Sequence, residues 1–93
     1  MTTTLDPTFA DRVLRLIGGA ANVVRLTHCL VRLRFVLLDD TVADDDALER
    51  LPEVAIVVRQ SGQLQLALNV PVSLAYAAVR QRLGEGTPPG TGH

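Results

Sequence analysis

The sequence predicts an α+β domain in two layers, ordered αββαββα, with a four-stranded antiparallel sheet carrying three helices on one face. Three observations predict it. Apolar residues recur at helical spacing near both ends, they alternate with polar ones through the middle, and Gly, Pro or Asp clusters mark each change of pattern. At 93 residues, 47% hydrophobic but only 3% aromatic, the chain has room for one core built from Leu, Val, Ile and Ala.

Each element follows in turn. Asp6-Pro7 reads as the N-cap and first position of a helix whose apolar stripe is Phe9, Val13, Leu16 and Ile17, and Gly18-Gly19 stops it. The short β-branched run from Asn22 to Thr27 and the run from Val31 to Leu38 read as two strands joined at His28-Cys29-Leu30. Asp39-Asp40 ends the second. Asp44-Asp45-Asp46 then opens a short helix to about Leu51, where the carboxylates suit the positive end of the helix dipole, so the acidic run is read as structural. Val54, Ile56 and Val58 alternate, Ser61-Gly62 turns, and Leu64, Leu66 and Leu68 alternate back, leaving Arg59, Gln63 and Gln65 outward. Pro71 opens a last helix with Val72, Ala75, Tyr76 and Val79 on one face and Arg80 and Arg82 near its end, and Gly84 is read as its terminator. The domain is thus expected over residues 6–84, with residues 1–5 a flexible start and the Gly/Pro-rich residues 85–93 a disordered tail or linker.

Bulk chemistry excludes several classes. A net charge of −1 argues against a protein whose main work is holding nucleic acid. The single cysteine excludes an internal disulfide, leaves no CxxC pair or zinc set, and fits a cytoplasmic setting. The amino terminus lacks a basic segment followed by an apolar run, and no apolar stretch approaches the roughly 20 residues that span a bilayer. The expectation is a chain with no targeting segment and no direct membrane insertion. No P-loop or nucleotide motif is present, and no cofactor or metal is expected.

The chemistry concentrates in Thr27-His28-Cys29-Leu30-Val31-Arg32-Leu33-Arg34-Phe35. On a strand, Arg32 and Arg34 project to one side while Leu33, Phe35 and Leu37 project to the other. One segment therefore supplies both core and site. Cations near Cys29 would favour thiolate over thiol, and paired guanidinium donors suit phosphoryl oxygens. A buried cysteine is more often a small hydrophobe, and outward strand arginines are ordinarily solvated; it is their adjacency that favours a reactive site. His28 could act as a base toward Cys29, but adjacent residues in an extended chain point apart, so it is read as a loop residue tuning the site. Thr27 and Gln63 are rim candidates.

The stretch from Asn22 to Phe35 resembles the phosphorylation-site signature of the enzyme IIB domain of sugar phosphotransferase systems, of the glucose and N-acetylglucosamine type: a Cys, usually after Asp or His, followed by x-Thr-Arg-Leu-Arg. Gly62-Gln63-Leu64-Gln65-Leu66 resembles the same family's Gly-Gln-x-Gln-Val hairpin, and the likeness runs in order from about Thr8 to Leu83. Two positions depart from the pattern: Val31 stands where the family has a Thr hydroxyl, and Asn69 where it has Gly.

The resemblance implies the same fold and a phosphoryl carrier. Cys29 would take a phosphoryl group from the phosphohistidine of a IIA protein and pass it to glucose or N-acetylglucosamine held in a membrane IIC permease, with Arg32 and Arg34 binding phosphate. Such a relay would be a monomer, cytoplasmic, visiting the inner face of the membrane through IIC, with Leu30 and Val31 as an apolar docking rim. Two rivals remain at this level. One is a thiol enzyme or redox sensor, disfavoured by the lack of a resolving Cys; the other is a regulatory or interaction module on the same fold, which Val31 and Asn69 leave open.

Overall fold

The computed structural model describes residues 5–85, with the side chain of Glu85 left undescribed; the expectations for residues 1–4 and 86–93 lie outside the described residues. Helix α1 (Phe9–Leu16) leads into strands β1 (Val23–His28) and β2 (Arg32–Leu37), the short helix α2 (Asp45–Glu49), strands β3 (Val54–Gln60) and β4 (Gln63–Leu68), and helix α3 (Val72–Glu85). Single 3₁₀ turns at Ala20–Asn22 and Asp40–Val42 complete the path. The four strands form one antiparallel sheet in the order β1-β2-β4-β3, so the two hairpins meet through β2 and β4. The fold is the expected α+β arrangement.

Alternation along β2 and β4 creates the two layers. Leu33 and Phe35 lie opposite Leu66 and Leu64, and all four are buried with Val54 beneath Phe9, Val13 and Ile17 of the first helical segment, Leu48 of α2, and Ala75 and Val79 of α3. Each large apolar side chain buried this way contributes about 1.5–3 kcal/mol. The alternate residues Arg32, Arg34 and Gln65 point to the other, uncovered face, because cross-strand partners share a side.

Polar residues hold the corners. Buried Asn22 donates through Nδ2 to the Ile17 and Asp39 carbonyls, and its Oδ1 accepts from the Asp39 N–H, tying the end of α1 to both strands of the first hairpin. That junction requires Gly18: its φ is +102°, and a Cβ there would stand 2.6 Å from Val42 Cγ2 and 2.8 Å from Asn22 Nδ2. Asp44 caps α2 by accepting from the Ala47 N–H, and Asp45 receives two hydrogen bonds from Arg59, so the acidic run is indeed largely structural. Ser61 and Gly62 both take positive φ, as a two-residue hairpin turn of twisted strands requires.

Several boundaries differ from the sequence expectation. Asp6 does not cap α1; it closes a turn by accepting from the Thr8 N–H and hydroxyl, and Thr8 becomes the cap position. Leu5, placed in the flexible start by sequence, packs against the core. A bulge between Val54 and Ile56 inverts the alternation of β3: Ile56 and Val58 face Ala67 and Gln65 on the uncovered side, while Arg59 opposes Leu64 on the helix side and meets Asp45. Arg59 is therefore not outward with Gln63 and Gln65. Gly84 does not end α3, which continues through it to Glu85. Asn69 does not take positive φ; its N–H donates to the Glu53 carbonyl and its Nδ2 to the Pro52 carbonyl.

Candidate functional site

Cys29, Leu30 and Val31 form the connection between β1 and β2, closed by the Cys29 N–H donating to the Arg32 carbonyl at 3.0 Å. The Val31 carbonyl accepts from the Leu68 N–H at 3.1 Å, which fastens the loop to the end of β4 as well. Sulfur and carbonyl are thus presented by a loop anchored to both central strands. Leu30 is 91% exposed and Val31 58%, so the tip projects from the molecule.

The environment of the thiol favours its anion. The Val31 backbone N–H makes the largest contribution in holding the Cys29 thiol below its ordinary range; partial burial opposes this, and the Arg32 N–H and the Arg34 side chain, by hydrogen bond and by charge, add to it. Val31 therefore lacks the hydroxyl seen in the resembled signature but supplies a donor from the main chain, which any residue except proline would retain.

Arg32 and Arg34 share the uncovered face as expected but are engaged differently. Arg34 reaches the sulfur, and its Nε is buried with no hydrogen-bond partner. The Arg32 guanidinium instead donates to Gln65 Oε1 at 3.1 Å, and Gln65 Nε2 donates to Gln63 Oε1 at 3.0 Å, forming a polar row across β2 and β4. Thr27 opposes Arg34 from β1 and borders the same face. Gln65, almost fully buried within this row, was read from sequence only as an outward hairpin residue; its place beside Arg32 follows from register, which spacing alone does not fix.

His28 lies on the other side. It opposes Leu33, and its ring therefore projects to the helix face, where it packs against Tyr76 of α3 with centroids 4.5 Å apart and planes at 60°. Its Nδ1 lies 3.0 Å from the Cys29 carbonyl oxygen. A carbonyl only accepts, so Nδ1 carries the proton and donates. In this arrangement the ring addresses the peptide of Cys29 and not its sulfur.

The site is open. Two clefts of about 410 and 500 Å³ lie beside the N-terminal segment, one against Leu74 and Ala78 of α3 and one against Pro52, Glu53 and Asn69, and Cys29 lines neither. Among the described residues no group of His, Cys, Asp and Glu side chains could hold a metal ion, and no helix is long and apolar enough to cross a membrane. A half-buried thiol in a projecting loop, held toward its anion by nearby N–H groups and Arg34, has the chemistry to take a charged group from another molecule.

Comparison with known proteins places the chain in a family. The family model described as phosphotransferase system, EIIB matches residues 11–44. The arbutin-, cellobiose- and salicin-specific EIIBC component of the phosphotransferase system of Escherichia coli (strain K12) is 40% identical over 70 residues, covering 75% of this chain and 14% of that protein. The trehalose-specific EIIBC component of the same organism is 33% identical over 85 residues, covering 91% of this chain and 18% of that protein. The chain therefore spans less than a fifth of the length of either. The crystal structure of one domain of the PTS system IIabc component from Clostridium difficile superposes with a TM-score of 0.74 at 30% identity, covering 83% of this chain and 85% of that one. With fold, signature segment and near-complete coverage of a solved domain in agreement, the chain belongs to the EIIB family of the sugar phosphotransferase system.

Proposed function

We propose that this domain is a phosphoryl carrier in sugar uptake, and that Cys29 is the residue that carries the group. The Cys29 thiolate attacks the phosphorus of a phosphohistidine on a IIA protein; the S–P bond forms, the N–P bond breaks, and its electron pair returns to the imidazole of the donor. A sugar hydroxyl in a membrane IIC protein then attacks the same phosphorus, releasing the thiolate and losing its proton to solvent or a base in the permease. This protein contributes nucleophile, positioning and positive charge. The observation that carries the reading is a partly exposed Cys29 in the β1–β2 loop, beside Arg32 and Arg34 on one face, whose thiol the Val31 and Arg32 N–H groups and the Arg34 side chain hold below its ordinary range.

Each site residue then has a part. Arg34 neutralises charge on the transferring group, and Arg32, held by Gln65, gives the second guanidinium on the same face. Thr27 and Gln63 border that face, and Leu30 and Val31 meet successive partners. Contacts of a relay with IIA and IIC must be small and transient, which suits a monomer acting at the cytoplasmic face of the membrane. Relatives named for arbutin, cellobiose and salicin, for trehalose and for sucrose all act on sugars with a glucosyl unit, so the sugar served here is taken to be glucose, N-acetylglucosamine or a glucoside.

The test is intact-mass analysis of the chain after incubation with phosphoenolpyruvate, the general phosphotransferase proteins and a glucose-class IIA, beside Cys29→Ser. One phosphoryl adduct that requires Cys29 is expected. No adduct with any such donor overturns the carrier reading and leaves a regulatory or redox role for the fold.

A further inference from the structure

Helix α3 reaches the reactive loop through a chain of side chains that phosphoryl chemistry does not itself require. Ala75 and Val79 fix α3 in the core with no exposed surface, and Tyr76 stands between them on a half-buried face. Arg80 steadies it from one side, with its NH1 donating to the Tyr76 hydroxyl at 3.2 Å and its guanidinium carbon 6.0 Å from the ring centroid. On the other side the Tyr76 ring packs against His28, whose Nδ1–H donates to the Cys29 carbonyl.

His28 is otherwise exposed, and the Tyr76 ring that packs against it favours the rotamer in which the imidazole makes that bond. The bond matters because the Cys29 carbonyl begins the peptide leading to Leu30. Its orientation sets the path of the loop, and hence where the Val31 and Arg32 N–H groups point.

We propose that Tyr76 is a positioning residue for phosphoryl transfer: it holds the His28 ring so that Nδ1–H fixes the Cys29 peptide and aims the loop N–H groups at the sulfur. The proposal rests on Cys29 as the carrier for its kinetic consequence only. Its geometric consequence, the state of the thiol, can be read without any phosphoryl donor. Tyr76 thereby acts from the helix side of the sheet on an anion site that opens on the other side.

The experiment uses the full chain with Tyr76→Ala, Tyr76→Leu, Tyr76→Phe, His28→Ala, His28→Asn and the double variant of Tyr76→Leu with His28→Ala. The first readout is the pH dependence of Cys29 alkylation by iodoacetamide, the second the rate of phosphoryl acceptance from IIA. Losing one hydrogen bond that orders the loop is expected to lower both the thiolate fraction below its titration midpoint and the acceptance rate by between about twofold and tenfold. Tyr76→Phe, which keeps the ring and gives up only the Arg80 hydrogen bond, should lose far less than Tyr76→Leu, and His28→Asn, whose amide can donate from a similar position but cannot pack on the Tyr76 ring, should recover only part of the loss. The double variant should be no worse than His28→Ala alone.

Unchanged alkylation in folded Tyr76→Leu, or losses that simply add in the double variant, overturn the proposal. Tyr76→Leu retains apolar volume and serves where Tyr76→Ala does not fold. If wild-type chain accepts no phosphoryl group at all, the carrier reading fails while the alkylation series still decides the role of Tyr76.

Discussion

The two faces of the sheet are made by the same strands and do opposite work. On the helix side, Leu33, Phe35, Leu64 and Leu66 have essentially no exposed surface and hold the layers together. On the uncovered side, one residue away in each strand, Arg32, Gln65 and Gln63 form a hydrogen-bonded polar row, and Arg34 lies on the same face, where its charge favours the Cys29 thiolate. A two-residue side-chain period thus lets six residues of β2 serve both the core and the proposed site. The difference teaches that substitutions of neighbours in β2 should separate folding from function almost completely.

The sharpest way to test this separation is at its extremes. Cys29→Ser should abolish phosphoryl acceptance entirely, because a serine hydroxyl stays protonated where the polarised thiol ionises, while leaving the melting curve essentially unchanged. Phe35→Ala should do the reverse. Emptying that fully buried site should cost about 3–5 kcal/mol, a large part of the about 5–15 kcal/mol of a small domain, measurable as a lowered midpoint in urea. The fraction still folded should accept phosphate at the wild-type rate, and a specific defect there would show that the faces are coupled through β2.

Arg34 gives the next test. Arg34→Lys keeps the charge and loses the planar fork, so phosphoryl transfer should slow by about tenfold with little change in stability. Arg34→Gln removes the charge as well. Since the cation favours thiolate, its loss must raise the thiol pKa, and the acid limb of the pH–rate profile should move to higher pH in the Gln variant and much less in the Lys variant. Identical limbs for wild type and Arg34→Gln would assign thiol activation to the loop N–H groups alone.

How far the sequence disclosed this division depends on what kind of signal each residue leaves. Alternation at Leu33 and Phe35, the Ser61-Gly62 turn and the adjacency of Cys29 to Arg32 and Arg34 are local patterns, and the fold and the candidate segment follow from them. Bulges leave no such mark: the irregularity between Val54 and Ile56 sends Arg59 to the helix side, although strict alternation puts it with Gln63 and Gln65. Gly84 terminates a helix in isolation, but α3 passes through it to Glu85. Asn22 and Tyr76 were hardest to read. Each acts on a segment remote in sequence, Asn22 through Asp39 and Tyr76 through His28, and only tertiary packing brings those partners together. Helical spacing puts Tyr76 on one face with Val72, Ala75 and Val79 but leaves no mark that pairs it with His28.

The smallest expected effect tests whether the acidic run belongs wholly to the structural side of the comparison. Asp44 accepts from the Ala47 N–H at 3.0 Å and so satisfies one of the free donors at the start of α2, whose buried Leu48 packs into the core. Asp44→Ala should therefore cost about 1 kcal/mol, which for a domain of this size lowers the melting temperature by about 4–8 °C. Asp44→Asn, which retains an acceptor oxygen, should recover most of that loss. Because α2 follows the far end of β2 from the Cys29 loop, neither variant should alter phosphoryl acceptance at a temperature where both are folded. A rate defect in Asp44→Ala that Asp44→Asn shares would mean that the carboxylate charge itself is used, as a field or contact that a partner protein reads. The acidic end would then join the uncovered face as a working surface, and stability and chemistry would no longer divide cleanly between the two sides of the sheet.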